Sequence, residues 1–211
     1  MSYKALIFDF DGTLADTFDE GMKIYNGMAE EHGLRPVTEA EVPMLKDMKM
    51  NDLLAYLGVS KYRVPKLLYQ GTKLLKESIS TLPLFDGLET VLPALRTKTE
   101  HFGILTSNSV ENVNLFLKNH GLENVFTFVS STSKLTGKSK HLRAIRKTFS
   151  LKSSQMLYIG DEIRDIKASQ KAGIPVAAVG WGFNSPASLK AENPVHFCEK
   201  IEELLTLTPI R

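Results

Sequence analysis

Lys4-Ala5-Leu6-Ile7-Phe8-Asp9-Phe10-Asp11-Gly12-Thr13 is the stretch from which the rest of the chain can be read. Its apolar run is too short for a helix and ends in acids, so it reads as a buried strand followed by a turn. Four more runs of this kind follow at His101–Leu105, Val125–Val129, Met156–Ile159 and Pro175–Val179. Amphipathic helical patterns separate them. Val113, Phe116, Leu117 and His120 share one face before Gly121; Leu142, Ile145 and Phe149 share another; Ile163 and Ile166 open a third helix that Gly173 closes. Strands that are apolar throughout and alternate with helices predict a parallel sheet covered on both faces, a Rossmann-like doubly wound α/β fold.

Residues 17–82 follow a different rule. No strand pattern is visible there, Thr38-Glu39-Ala40-Glu41 reads as a capping box, Asn51 as an N-cap and Gly58 as a stop. Five of the seven methionines fall in this segment, at 22, 28, 44, 48 and 50. Flexible thioethers suit core filling or an adaptable surface. The expected organisation is an α/β core of residues 1–16 and 83–211 interrupted by a small helical domain over 17–82.

At 211 residues with 43% hydrophobic and 24% charged side chains, the chain can bury a sizeable core, which excludes disordered, collagenous and coiled-coil classes. No apolar run approaches the ~18–20 residues of a membrane helix. Met1-Ser2-Tyr3-Lys4 leads into the first strand without a small-residue cleavage site, so no secretory signal is expected. The single cysteine, Cys198, excludes an internal disulfide and a multi-cysteine zinc site; it reads as a small buried hydrophobe in a reducing cytoplasm. A net charge of +2 gives no argument for nucleic acid. The positive charge is nevertheless uneven, with seven Lys or Arg and no acid over 134–152, and seven bases against three acids over 46–77. Such runs are mostly solvated helix faces, and no aromatic residues interleave them as a nucleic-acid groove requires.

Open α/β sheets bind ligands beyond the carboxyl ends of their strands. Those ends deliver Asp9-Phe10-Asp11-Gly12-Thr13, Thr106-Ser107-Asn108, a polar loop ending in Gly137-Lys138, and Gly160-Asp161-Glu162-Ile163-Arg164-Asp165. Carboxylates without histidine or cysteine are a hard-oxygen set suited to Mg²⁺. Lysine, hydroxyl, amide and loop N–H groups suit the oxygens of a phosphoryl group. Other motifs fail on spacing. An EF-hand needs its glycine at loop position six after a helix, Gly137-Lys138-Ser139 lacks the first P-loop glycine because residue 132 is Thr, and Gly180-Trp181-Gly182 lacks a third glycine because residue 185 is Ser. Trp181 and Phe183 follow the fifth strand and suit either a site wall or the core. The five histidines show no ligand spacing.

Asp9-Phe10-Asp11-Gly12-Thr13-Leu14, followed in order by Thr106, Lys138 and the Gly-Asp-x-x-x-Asp run of 160–165, resembles the motif set of the haloacid dehalogenase superfamily of phosphohydrolases. The likeness spans the chain and includes a helical cap inserted after the first motif, as in the phosphoglycolate-phosphatase-like branch. It implies a Mg²⁺-dependent phosphatase acting on a small phosphorylated metabolite. Asp9 is then the nucleophile, Asp11 the general acid and base, Thr106 and Lys138 catalytic partners of the phosphoryl group, and Gly12, Ser107 and Asn108 substrate-binding residues. The metal set is Asp9, Asp11 through its carbonyl, and Asp161, with Glu162 and Asp165 in the outer shell or fixing Lys138. Ser107 remains the alternative to Thr106 as the primary hydroxyl.

A phosphomutase of the same superfamily shares these residues. A dehalogenase does not need Asp11, and a phosphonate hydrolase uses a cap lysine, for which Lys46 and Lys49 are open candidates. Outside the superfamily, a phosphoacceptor domain carries its Asp after a middle strand, and a binding module would lack a catalytic position; all are present. Substrate identity, the cap residues that set it and the oligomeric state are not legible in the sequence.

Overall fold

Six short strands hydrogen-bond into one parallel sheet: β1 (Ala5–Phe8), β2 (His101–Thr106), β3 (Phe128–Ser131), β4 (Met156–Gly160), β5 (Val176–Val179) and β6 (His196–Cys198). Their order is β3-β2-β1-β4-β5-β6. The structure, a computed structural model, describes residues 3–132 and 137–208. Met1 and Ser2, Lys134 of the basic run over 134–152 and the polar loop over 133–136 lie outside the described residues.

β1 is central, with Phe8 in register with Ile104 of β2 and Ile159 of β4. Alternation along the strands feeds two cores. Leu6, Phe8, Phe102, Ile104, Leu157 and Ile159 point to one face, where α5 (Leu88–Arg96) and α6 (Val110–Asn119) bring Leu88, Leu92, Val113 and Phe116. Ala5, Ile7, Leu105, Met156 and Tyr158 point to the other, against α7 (Lys138–Thr148), α8 (Ile163–Ala172) and α9 (Pro186–Ala191). Burial on both faces is why the runs are continuously apolar. The sheet order diverges from β1 toward β2 on one side and β4 on the other, so a crevice opens at their carboxyl ends.

Between β1 and α5 the described chain is helical: α1 (Phe18–His32), α2 (Val42–Lys46), α3 (Met50–Tyr56) and α4 (Val64–Ser78), with a 3₁₀ turn at Glu39–Glu41. Val37, Leu45, Leu57 and Val59 form a small separate core, with Met22 and Met48 packed against it. The chain enters and leaves this segment through adjacent backbone, since Ala15 bridges Leu84 and Asp16 N–H donates to the Pro83 carbonyl at 2.9 Å.

The third strand differs from expectation. Val125 N–H closes a turn on Leu122, and pairing along β3 begins only at Phe128, so the apolar run over 125–129 straddles a turn and a strand. Phe126 is in the core from the turn, while Phe128 lies flat over Gly103, where a Cβ would meet the ring at 2.1 Å. Asn51 is inside α3, whose N-cap is Lys49. Gly58 and Gly173 take left-handed φ at helix ends as expected, and Gly121 does so one residue beyond the His120 cap of α6. The edge strand β6 was not anticipated; three residues carry too little pattern. Cys198 is buried in it. Among the described residues, no helix is long and apolar enough to cross a membrane.

Candidate active site

Asp9 is the first residue after β1, its N–H bonded to the Ile159 carbonyl of β4 at 2.8 Å. Asp161 is the first after β4. Their carboxylates therefore meet at the crevice, and oxygens of Asp9, Asp161 and Asp165 lie within 4.8 Å of one another, all three side chains buried. Lys138, the first residue of α7, reaches between two of them: Nζ donates to Asp9 Oδ2 at 2.5 Å and to Asp165 Oδ1 at 2.6 Å. Tyr158 donates from its hydroxyl toward Asp165 Oδ1 at 3.3 Å and presents its ring to Lys138.

Beyond Asp9 the chain turns sharply. Phe10 and Leu14 anchor the turn in the core, and Gly12 takes φ +74°. A Cβ on Gly12 would lie 2.2 Å from Asp161 Oδ2, and one on Gly182 would lie 2.3 Å from Asp161 Cβ. Two glycines thus let the backbone press against Asp161 from both sides. Thr13 donates its hydroxyl to Asp161 Oδ1 at 2.6 Å and Phe183 N–H donates to Oδ2 at 2.7 Å. Trp181 Nε1 holds the Thr13 carbonyl at 3.2 Å.

Thr106 closes β2 and is fully buried, its Oγ1 accepting the Asn108 N–H at 2.9 Å. Asn108 does more than the sequence indicated. Its Nδ2 donates to both oxygens of Asp11, at 3.1 and 3.3 Å, and its Oδ1 accepts from Ser109 N and Asn112 Nδ2. Asn112 in turn donates to the Thr72 carbonyl of α4. Asn112, Tyr158 and the 181–184 loop were not singled out as site residues. Only Trp181 and Phe183 gave a signal, as aromatics after a strand end. Ser107 and Asn108 face a cavity of about 580 Å³ together with Asp11, Gly12, Trp181 and Phe183. The Glu162 carboxylate binds Arg164, at 2.7 Å from Nε and 2.5 Å from Nη2. Asp165 accepts Lys138 and the Glu162 N–H, the arrangement expected for fixing the lysine.

Burial raises Asp9 well above the usual carboxylate range, with Lys138 opposing it, and pushes Asp161 up to about 7, with Glu162 and Asp165 adding to the rise. Asp11 is raised by burial against the Asn108 hydrogen bond. For Asp165 burial is outweighed by Lys138 and Arg164 together with its hydrogen bonds, and the net shift is down; for Lys138 burial is outweighed by Asp165 and Asp9 and the net shift is up. Five carboxylates crowd around two cations, Lys138 and Arg164. A divalent cation held by hard oxygen donors fits that excess of negative charge.

Residues 6–179 match the model of the haloacid dehalogenase-like hydrolase family. A phosphoglycolate phosphatase of Synechococcus elongatus is 32% identical over 202 residues, covering 96% of this chain and 95% of the relative. An N-acetylmuramic acid 6-phosphate phosphatase of Pseudomonas aeruginosa is 26% identical, covering 93% and 88%. Among solved structures, a haloacid dehalogenase-like hydrolase of Streptococcus pneumoniae shares the fold with a TM-score of 0.80 at 22% identity, over 97% of each chain. With the family's span running from β1 to the end of β5, the chain belongs to the haloacid dehalogenase-like hydrolases, as one of their phosphatases.

Proposed function

We propose that this phosphatase is Mg²⁺-dependent and hydrolyses a small phosphate monoester, phosphoglycolate or a similar metabolite, through an aspartyl-phosphate at Asp9. The observation that carries the reading is the pairing of Asp9 with Lys138 beside Asp161, at the carboxyl ends of β1 and β4. The relative from Synechococcus elongatus supports the substrate class.

An Asp9 carboxylate oxygen attacks phosphorus; the new oxygen–phosphorus bond forms as the bond to the ester oxygen breaks. Asp11, held by Asn108 with its pKa raised by burial, gives its proton to the departing alcohol oxygen. It then takes a proton from the water that attacks the same phosphorus, which returns Asp9 and releases phosphate. Thr106 accepts an N–H at its oxygen, which leaves its hydroxyl hydrogen for a phosphoryl oxygen, with Ser107 beside it at the cavity wall. Lys138 offsets negative charge on nucleophile and phosphoryl group. Bound Mg²⁺ would supply further neutralisation of the negative charge that gathers in the reaction. Asp9, Asp161 and the Asp11 backbone carbonyl would hold it, while Asp165 stays committed to Lys138 and the start of α8.

The demand is large, since monoester hydrolysis calls for accelerations up to ~10²¹ and acid–base catalysis supplies only about 10²–10⁴. Covalent division of the reaction and preorganised charge account for the remainder. The segment over 17–82 acts as the cap on a core of 1–16 and 83–211, shielding the intermediate from bulk water. The Ala15–Leu84 bridge supports that division, because both connections cross at one place.

The test is phosphate release from a panel of monoesters, with Mg²⁺ and then with EDTA. Release that EDTA abolishes and Asp9→Asn eliminates is expected. Full activity in EDTA, or in the variant, overturns the reading.

A further inference from the structure

The cavity beside Asp11 runs into the cap and is lined mainly by apolar side chains such as Met22, Leu45 and Leu53. Among its described lining residues only two are cations, Arg164 from α8 and Lys46 from α2. Neither has a role in the chemistry above. Arg164 is held rigidly by Glu162, which takes Nε and Nη2 and leaves Nη1 shielded from solvent with no hydrogen-bond partner. A buried guanidinium nitrogen without an acceptor is costly, so this one is either strain or a donor kept for something absent. Arg164 lines the same cavity as Asp11.

Lys46 reaches the same cavity from the end of α2. Its Nζ donates to the Gly182 carbonyl at 3.0 Å and sits 4.5 Å from the centroid of the Phe18 ring, which leaves further N–H groups of the ammonium. Its backbone carbonyl is gripped by Ser185 N–H and Asn184 Nδ2, and Asn184 Oδ1 accepts the Ile163 N–H beside Arg164. The two cations therefore belong to one hydrogen-bonded junction of cap and core.

We propose that Arg164 and Lys46 form a subsite for a second anionic group of the substrate, a carboxylate or phosphoryl group a few bonds from the ester oxygen. The proposal rests on the phosphatase reading and deepens it. Arg164 Nη1 supplies a preorganised donor, Glu162 fixes the guanidinium through Nε and Nη2, and Lys46 adds positive charge from α2.

The test compares 2-phosphoglycolate and pyrophosphate with ethyl phosphate, whose methyl group replaces the carboxylate, using the full chain with Mg²⁺. The readout is the ratio of kcat/KM for each charged substrate to that for ethyl phosphate, which a general loss of activity does not change. The expected wild-type ratio is about 10² or more for at least one charged substrate, and it falls about tenfold or more in both Arg164→Gln and Lys46→Gln. The substrate with the high ratio tells a carboxylate from a phosphoryl partner. Turnover with ratios near one, or ratios unaffected by both substitutions, overturns the subsite and leaves the phosphatase reading intact. No turnover of any of the three, nor of p-nitrophenyl phosphate, overturns both.

Discussion

Asn108 Nδ2 donates to both carboxylate oxygens of Asp11, at 3.1 and 3.3 Å, across 97 residues of sequence. The amide is itself clamped through Oδ1 by Ser109 and Asn112, so Asp11 is held by a side chain that has no freedom to follow it. Asn108→Ala is expected to lower kcat by about 10²-fold with little change in KM, because proton transfer depends on geometry more than ground-state binding does. Steady-state kinetics with Mg²⁺ checks this. A variant whose KM rises at constant kcat would assign Asn108 to substrate binding instead.

Gly12 has two reasons to be glycine: φ of +74° and a Cβ position 2.2 Å from Asp161 Oδ2. Gly12→Ala must move Asp161 or the turn. The expected cost is about 1–3 kcal/mol of stability together with loss of most activity. Urea unfolding and kinetics on the same sample check it, and wild-type behaviour in both would mean the turn can move freely.

Lys138 is 1% exposed and bridges Asp9 and Asp165. Lys138→Met leaves two buried carboxylates without their cation, for an expected loss of about 3–5 kcal/mol in EDTA. Denaturant unfolding measures it. A variant as stable as the wild type would show that water or protonation already compensates the pair.

In the helical segment Glu41 accepts from the Tyr56 hydroxyl and from both the amide and hydroxyl of Thr38, with Arg35 alongside; these lower its pKa to about 2. A depressed carboxyl stabilises the fold above its unfolded value of 4.5, and the contribution is lost as pH falls from there toward about 2. The stability difference between wild type and Glu41→Gln should therefore be full at pH 6 and shrink by pH 3. A difference that grows on acidification contradicts the assignment.

Most of the sheet was legible because its strands are buried on both faces, which makes each a short apolar block between breakers. The block over 125–129 misled because Phe126 enters the core from a turn, a packing outcome that hydrophobicity alone does not distinguish from a strand. The acids, Thr106 and Lys138 were legible because strand ends are where an open sheet gathers its chemistry. Asn108 on Asp11 and Phe183 N–H on Asp161 were not, since each depends on how a loop returns from a distant element. The grip of Glu162 on Arg164, two residues on, was not legible either, since helix starts favour acids whatever they bind.

The most direct test of the account is to quench the enzyme during turnover of a ³²P-labelled monoester and locate the label on the protein. A hydroxylamine-labile phosphoryl group is expected on the peptide containing Asp9, absent in Asp9→Asn. Turnover with no label on the protein, or label on any other residue, would contradict it.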